Sequence, residues 1–166
     1  MKRFKSTNVF IKLLAVLTCC SLLIFIPIGP VMADTVTIIL EVDNPLMVVN
    51  GSRQEIDPGR GTAPIIEHSR MLLPIASIIG AIGGTVDWDP SGGANGKVTI
   101  QALNKTIELW INSSSAKVNG KWAPELDAAP KIYNGRTMIP LSFVAQSLGA
   151  DIHWYDTPPS ASIYFW

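Results

Sequence analysis

Two histidines, His68 and His153, are the residues whose type could hold a metal ion or move a proton. Imidazole is a common protein ligand for transition metals, but two histidines are a small set from which to build a metal site. His68 stands just before Arg70. His153 alternates between Ile152 and Trp154 on a strand, so it should face away from Trp154. We therefore expect an ordinary loop histidine and an ordinary strand histidine, with no metal site and no cofactor.

The segment around Trp88 carries oxygen donors whose spacing resembles the start of a calcium loop, namely Asp87, Asp89, Ser91, Gly92 and Asn95. In such a loop the twelfth position is a glutamate that binds through both oxygens, whereas here it is Val98. The flanking residues also alternate as strands do, and do not follow a helical period. A turn between two strands explains the same residues, and this interpretation is preferred to a calcium site.

Catalytic motifs are absent from the sequence, which has no G-x-S-x-G, no H-E-x-x-H and no glycine-rich phosphate loop between a strand and a helix. Trp110 lies on the strand face opposite Leu109 and Ile111, and Trp122 follows a turn. Such rings can stack on sugars or anchor a partner, or else they cover the far side of a sheet. The candidate contacts for a ligand or partner are Trp110, Trp122 and Tyr133.

A segment that the chain contains twice, at residues 70–88 and 136–154, must position these side chains. Four residues recur 66 positions apart: Arg70, Pro74, Gly83 and Trp88, then Arg136, Pro140, Gly149 and Trp154. An i, i+3, i+4, i+7 apolar stripe predicts a short helix in each copy, from Ile75, Ile78, Ile79 and Ile82 and from Leu141, Val144, Ala145 and Leu148. Each proline suits a first helical turn, and each glycine suits the left-handed position after the last turn.

Beyond each glycine the pattern alternates, which predicts a half-buried strand whose Trp88 or Trp154 ring packs on the preceding helix. Residues shared by both copies are expected to serve architecture. Arg70 and Arg136 should therefore bond carbonyls or a carboxylate near the helix entry, and a ligand-binding role is the alternative. By the same reasoning, a ligand site should lie where the two copies differ.

The rest of the chain alternates between apolar and polar residues, as strands do. An opening strand begins near Val36, and a closing strand includes Ile163 and Phe165. Turns are predicted at Asn50-Gly51, Asn104-Lys105 and Asn119-Gly120. The predicted fold class is α+β, with antiparallel sheets and two short helices. Two repeats, about 46–111 and 115–166, would share one core with approximate two-fold symmetry.

The N-terminus has the pattern of a secretory signal peptide over residues 1–33. Four basic residues precede a nearly unbroken apolar run, and Val31-Met32-Ala33 suits cleavage before Asp34. A retained membrane anchor is the alternative, and a lipoprotein anchor on Cys19 or Cys20 fits less well. The domain proper is then residues 34–166. We expect it to be secreted or attached to the cell wall, and to meet a membrane only through the signal peptide before cleavage.

Removal of residues 1–33 takes away both cysteines and four of the thirteen basic residues. Nine Lys and Arg against thirteen Asp and Glu then give a net charge of about −4. A chain without cysteine has no disulfide, no thiol nucleophile and no cysteine metal site. A mildly acidic surface without clusters of Lys and Arg also argues against nucleic acid as a partner.

Several short motifs of this chain resemble the stalk domain named for the N-terminus of copper amine oxidases: Val118-Asn119-Gly120, Gly135-Arg136-Thr137, Pro140-Leu141, Leu148-Gly149-Ala150 and Trp154. The chain departs from that pattern at Ala76 and Ser142, where a basic residue is usual, and at Ser69-Arg70-Met71, which replaces Gly-Arg-Thr. The resemblance implies an antiparallel sheet wrapped on helix, in secreted and wall-associated bacterial proteins. It does not imply copper, because that centre needs three histidines and a quinone made from a tyrosine in a T-x-x-N-Y context.

Three functions are compatible with these observations. The first is a non-enzymatic structural or interaction module of the cell envelope, because fold and export explain the strong signals. The second is a cell-wall or polysaccharide-binding module that uses Trp110, Trp122 or Tyr133. An enzyme related to amine oxidases is the third and the least supported. The expected partner is an unidentified envelope protein or a wall glycan.

Overall fold

The computed structural model describes residues 35–166, so the predicted signal peptide, residues 1–33, lies outside the described residues. Within the described part, no helix is both long and apolar enough to span a membrane. The elements of this part are β1 (Val36–Glu41), β2 (Leu46–Val49), β3 (Ser52–Glu55), β4 (Ile65–Glu67), β5 (Arg70–Leu73), α1 (Ala76–Ala81), β6 (Thr85–Asp89), a 3-10 helix (Pro90–Asn95), β7 (Lys97–Ala102), β8 (Lys105–Trp110), β9 (Ala116–Val118), β10 (Lys121–Trp122), β11 (Lys131–Tyr133), β12 (Arg136–Pro140), α2 (Leu141–Leu148), β13 (Asp151–Asp156) and β14 (Pro159–Phe165).

The strands form three antiparallel sheets. Two have five strands, in the orders β13-β14-β1-β2-β3 and β10-β9-β8-β7-β6, and the third has the order β11-β12-β5-β4. The α+β prediction needs correction, because the described chain is mostly β: α1 has six residues and α2 has eight, beside fourteen strands. The alternating segments dominate, while each apolar stripe supports at most two helical turns.

Tight turns connect most neighbouring strands. The predicted turns at Asn50-Gly51 and Asn119-Gly120 are confirmed, with positive φ at both residues of each pair. This is the type I′ geometry that asparagine and glycine favour. The prediction at Asn104-Lys105 is wrong by one residue: Leu103 and Asn104 have the positive φ values, and Lys105 already pairs with Ala102.

The predicted stripes are buried except at Ile82, which is partly buried and caps the C-terminal end of α1. Ile75, Ile78 and Ile79 are at most 2% exposed, and in α2 the four predicted residues are buried as well. Gly83 and Gly149 have φ of 74° and 90°, which confirms the left-handed position after each helix. The first-turn position expected for the prolines is wrong. Pro140 ends β12 with extended backbone, and Pro74 precedes Ile75, the residue that caps α1.

One main hydrophobic core takes side chains from all three sheets and both helices. It includes Ile38 of β1, Leu73 of β5, Ile100 of β7, Val144 of α2 and Ile163 of β14. A smaller cluster of Leu72, Ala128 and Met138 lies beside it. The face of β8 that carries Leu109 is buried in the main core, so the opposite face of that strand, with Trp110, points outward.

Candidate functional site

Trp110 and Trp122, which the sequence predicts as candidate contacts, come together on the outer face of the β10-β9-β8-β7-β6 sheet. Trp110 is on β8 and Trp122 on β10, with β9 between them. Their ring centroids are 5.6 Å apart and their planes are inclined by 36°. Trp122 is 67% exposed, whereas Trp110 is half-buried. The two indoles form a single apolar patch that solvent reaches.

Lys117 of β9 adds a positive charge to this patch. It is the cross-strand partner of Trp122, and its Nζ lies 4.5 Å from the Trp122 ring centroid and 5.9 Å from that of Trp110. An ammonium group near a ring face is attracted by the electrons of the ring. We call Trp110, Lys117 and Trp122 the tryptophan surface. It can offer stacking and a cation to the same ligand.

Tyr133 lies elsewhere. It is on β11, is 42% exposed and lines a cavity with Arg60, Thr62 and Arg136. The Nζ of Lys131 lies 5.7 Å from its ring centroid. Among the described aromatic contacts, none joins Tyr133 to Trp110 or Trp122. The three candidates therefore do not form one site.

Arg70 pairs with Asp127, a residue 57 positions away. Its Nε and Nη2 donate to Oδ2 of Asp127 at 2.9 and 2.6 Å, and Nη1 donates to the carbonyl of Ser69 at 3.1 Å. The side chains of Arg70 and Asp127 are 40% and 65% exposed. Both carbonyl and carboxylate partners match the expectation from the sequence. The pair is well hydrated, which weakens its contribution to stability.

Arg136 pairs with Asp57, 79 positions away, in a more enclosed setting. Its Nε and Nη2 donate to the two carboxylate oxygens at 2.6 and 2.8 Å, and Thr62 Oγ1 donates to Oδ2 at 2.6 Å. The Asp57 side chain is only 11% exposed. Burial by itself raises the pKa of Asp57, but the hydrogen bonds from Arg136 and Thr62 and the nearby positive charges outweigh it and hold that pKa below its usual value.

The sequence did not identify Asp57 and Asp127 as the carboxylates. Each lies in a loop, and they are 70 positions apart, whereas Arg70 and Arg136 are 66 apart, so the constant offset misses them. The only signal in the sequence is that an aspartate precedes each arginine, Asp57 before Arg70 and Asp127 before Arg136. The prediction of half-buried strands after the two helices is wrong: β6 and β13 each have a single partly buried residue, and Trp88 and Trp154 are 44% and 45% exposed. Both strands are the outermost of their sheets, so one edge of each has no neighbouring strand.

Each of these tryptophans lines a cavity beside a helix and an arginine. The larger cavity, about 440 Å³, is lined by Trp154, Arg70, Asp127, Ser142 and Gln146 over an apolar floor. The smaller, about 170 Å³, is lined by Trp88, Arg136, Asp57 and Ala76, among others. Ser142 and Gln146 were not predicted as site residues, since nothing in their spacing distinguishes them from other polar helix residues.

The two histidines lie apart. His68 has a positive φ in the turn between β4 and β5, and its side chain is 72% exposed. His153 lies on β13, with its ring edge-on to Tyr164 at 5.5 Å. In residues 35–166 no group of three His, Cys, Asp or Glu side chains is placed to hold a metal ion.

The segment considered for calcium forms a 3-10 helix that Asp89 caps, accepting from the Ser91 amide at 2.9 Å. That hydrogen bond, together with the side chain of Ser91 and the charge of Lys97, lowers the pKa of Asp89. Asp89 therefore has a structural partner in its own turn.

The fold and these surfaces define a mostly antiparallel β domain with two arginine–carboxylate pairs and an exposed aromatic patch. The model of the copper amine oxidase N-terminal domain family matches residues 59–163, which is more than half of the chain. The chain belongs to that family, as the motif resemblance indicated. No curated protein and no solved structure matched it. Strands β1 to β3 and Asp57 precede the matched segment, which contains the tryptophan surface and the larger tryptophan cavity.

Proposed function

We propose that this chain is a non-catalytic module that is exported to the cell envelope and works there by binding a partner. The family match supports the proposal, because it is a match to an N-terminal domain of copper amine oxidases. The signal-peptide pattern of residues 1–33 supports export. The partner is a component of the envelope, either a protein or a wall glycan.

The observation that carries the binding role is the tryptophan surface. Trp110 and Trp122 are 12 positions apart in sequence, yet the sheet holds their rings 5.6 Å apart on its solvent face. A ring as exposed as that of Trp122 loses contact with water when a partner covers it, which is worth roughly 2 kcal/mol for a large apolar side chain. Neighbouring aromatic rings of this kind are typical centres of binding surfaces.

Lys117 favours a wall polymer as the partner. Its ammonium group lies within 6 Å of both ring centroids, so a saccharide that stacks on Trp122 would also meet a cation. Many wall polymers present sugar rings and carboxylate or phosphate groups on one chain. Such a polymer would use the stacking surface and the charge together.

Co-sedimentation with insoluble peptidoglycan tests this function. The purified protein should pellet with the polymer, and Trp110→Ala combined with Trp122→Ala should abolish pelleting. Trp166→Ala is the matched control, since Trp166 is 63% exposed and lies outside the tryptophan surface. Equal loss in the control, or full pelleting of the double variant, would contradict a role for this surface. If no variant pellets, a pull-down from an envelope fraction tests a protein partner on the same residues.

We also propose that the two halves are structural repeats. Counting each half from its first strand, β1 corresponds to β8 and β7 to β14, and the two five-stranded sheets then have the same strand order. Each of these sheets takes three strands from one half and two from the other. Asn50 and Asn119 make the same bond, each accepting at 2.9 Å from a backbone amide 13 positions earlier. On this correspondence the repeats span about 36–102 and 105–165, earlier than the sequence pattern placed them.

Interleaving of this kind suits a structural module. Neither half contains all the strands of a five-stranded sheet, so both halves must be present before either of these two sheets is complete. A stalk that separates other domains needs such resistance to partial opening. This structural role and the binding role are compatible, because the first uses the core and the second uses the outer face of one sheet.

A further inference from the structure

The cavity beside Trp154 lies away from the tryptophan surface and has the composition of a binding groove. It has a volume of about 440 Å³, within the usual range for small-ligand sites. Its floor is apolar, with Leu141, Ile152 and Ala161, and polar side chains surround the floor. A second cavity of about 380 Å³ shares Arg70, Asp127, Ser142 and Gln146 with it. The shared residues make the two cavities one extended groove along α2.

The polar groups of this groove are still able to bind a ligand. Both bonds from Arg70 end on Oδ2 of Asp127, so Oδ1 has no donor among the described hydrogen bonds. Asp127 is 65% exposed on its side chain, Gln146 is exposed and Ser142 is half-buried. A ligand hydroxyl could donate to Oδ1 without breaking the ion pair. The charged residues that line the cavity beside Trp154 are Arg70 and Asp127, which are neutral as a pair, so this cavity favours a neutral ligand rich in hydroxyl groups. Glu125 adds one negative charge to the second cavity, which disfavours an anionic ligand there.

Trp154 supplies a flat apolar wall whose orientation is fixed. Its Nε1 donates to Oδ1 of Asp156 at 2.9 Å, and the residue is 45% exposed. A ring that is already held in place loses little conformational freedom when a ligand stacks on it. The combination of a fixed indole with carboxylate, amide and hydroxyl groups matches the two kinds of surface on a pyranose ring, its C–H face and its hydroxyl edge.

The counterpart cavity beside Trp88 lacks these features. Its volume is only about 170 Å³, and both oxygens of Asp57 already accept bonds from Arg136. Counted 66 positions back, the residues that match Ser142 and Gln146 are Ala76 and Gly80, which have no polar side-chain atoms. Of these two cavities, the one beside Trp154 is the larger, and it has polar helix side chains together with a carboxylate oxygen that accepts no bond among the described hydrogen bonds. The groove beside Trp154 is therefore the better candidate for a ligand.

We propose that this groove binds a neutral oligosaccharide. One pyranose ring stacks on Trp154, and its hydroxyl groups bond to Asp127 Oδ1, Ser142 and Gln146. Since the groove continues past the Arg70–Asp127 pair into the second cavity, it accommodates more than one sugar ring. This site goes beyond the proposed function, because it shares no residue with the tryptophan surface.

The test is titration with two probes, the β-1,4-linked tetramer of N-acetylglucosamine and cellotetraose, followed by NMR of the indole N–H signals. The chain has five tryptophans, so each signal can be assigned by substitution. Binding of either probe should shift the Trp154 signal and leave that of Trp88 in place. Trp154→Ala should abolish binding. Ser142→Ala combined with Gln146→Ala, which keeps the indole and changes only accessible side chains, should weaken it by roughly tenfold or more.

Trp166→Ala is the control and should bind as the unchanged protein does. Absence of any shift with both probes would overturn the proposal, as would equal affinity of the Ser142/Gln146 variant, or shifts confined to Trp110 and Trp122. The two proposals can fail separately. If pelleting with peptidoglycan survives loss of Trp110 and Trp122 but not Trp154→Ala, the groove is the wall site and the tryptophan surface is not. If pelleting is lost without Trp110 and Trp122 but survives Trp154→Ala, and neither probe binds, only the tryptophan surface is supported.

Discussion

Replacing each arginine of the two ion pairs by methionine should destabilise the domain by very different amounts. Arg136 and Arg70 stand at corresponding positions, and each donates from Nε and Nη2 to one carboxylate. Asp57, the partner of Arg136, is 11% exposed, whereas Asp127 is 65% exposed. Methionine keeps the length and apolar stem of the side chain and removes the charge and the donors. The comparison therefore isolates the effect of burial on two similar pairs.

Arg136→Met leaves the Asp57 carboxylate nearly buried, with Thr62 as its remaining side-chain donor. Breaking a fully buried pair costs about 3–5 kcal/mol. Because the Arg136 side chain is 30% exposed and water can enter, we expect the free energy of unfolding to fall by about 2–3 kcal/mol. Arg70→Met leaves a hydrated carboxylate, so its effect should stay below about 1 kcal/mol.

The pH dependence has a definite sign. The pKa of Asp57 in the folded chain lies below the usual 3.8, so the ionised carboxylate is more stable in the folded than in the unfolded state. The stabilisation is complete above the unfolded-state pKa and is lost as the pH falls through the lower, folded-state pKa. The difference in stability between the unchanged protein and Arg136→Met should therefore shrink once the pH drops below about 4.

Urea unfolding followed by tryptophan fluorescence and far-UV circular dichroism measures these differences, at pH 7 and at steps down to the acid limit of folding. Midpoints should move while the slope of free energy against urea stays the same. Equal destabilisation by the two substitutions, or a larger effect of Arg70→Met, would show that exposure does not separate the pairs. If the difference in unfolding free energy between the unchanged protein and Arg136→Met stays constant between pH 7 and pH 3, Asp57 is not the carboxylate whose ionisation Arg136 stabilises.

Two further predictions concern the architecture. Gly84→Ala should lower the free energy of unfolding by about 1–3 kcal/mol, because its Cβ would lie 2.6 Å from both Ala102 Cβ and the Gln101 carbonyl. Gly80→Ala is the control, because nothing lies within 4 Å of the added Cβ. It should stabilise α1 by about 0.5–1 kcal/mol. The urea midpoints of the two variants measure both effects. A chain ending at residue 103 should show no cooperative unfolding as a monomer, because β6 and β7 lose β8 and the first sheet loses β13 and β14. A cooperative monomeric transition would argue against interleaved halves.

Local patterns in the sequence were sufficient for two of the three predicted turns and for the approximate positions of both helices. Asn50-Gly51 and Asn119-Gly120 form the turns that their backbone preferences favour, and Gly83 and Gly149 follow the helices with positive φ. These features depend on a few adjacent residues, so short-range spacing describes them well. The first-turn position predicted for the prolines was wrong, because a proline fits the end of a strand as well as the start of a helix. Strand β12 extends up to Pro140.

Contacts between residues far apart in the sequence could not be predicted from local patterns. The carboxylate partners of Arg70 and Arg136 lie 57 and 79 positions away, in loops whose lengths differ between the two copies. The approach of Trp122 to Trp110 depends on the register of β8, β9 and β10, which is set by the hairpin turns and the buried face together. Tyr133 is exposed, as Trp122 is, and only the three-dimensional arrangement separates it from the two tryptophans.

The two tryptophan cavities differ in how their tryptophan and aspartate side chains are held. Trp88 contacts Gly96 so closely that a Cβ there would lie 2.2 Å from the ring, while Trp154 is held by a hydrogen bond at its edge. The two residues are almost equally exposed, at 44% and 45%, so they differ in what holds the ring and not in how far solvent reaches it. The two aspartates also differ. Both carboxylate oxygens of Asp57 accept hydrogen bonds, whereas Oδ1 of Asp127 accepts none among the described hydrogen bonds. The more buried ion pair lines the smaller cavity, so we expect substitutions of Ser142 and Gln146, which line the larger cavity, to cost less stability than loss of that pair.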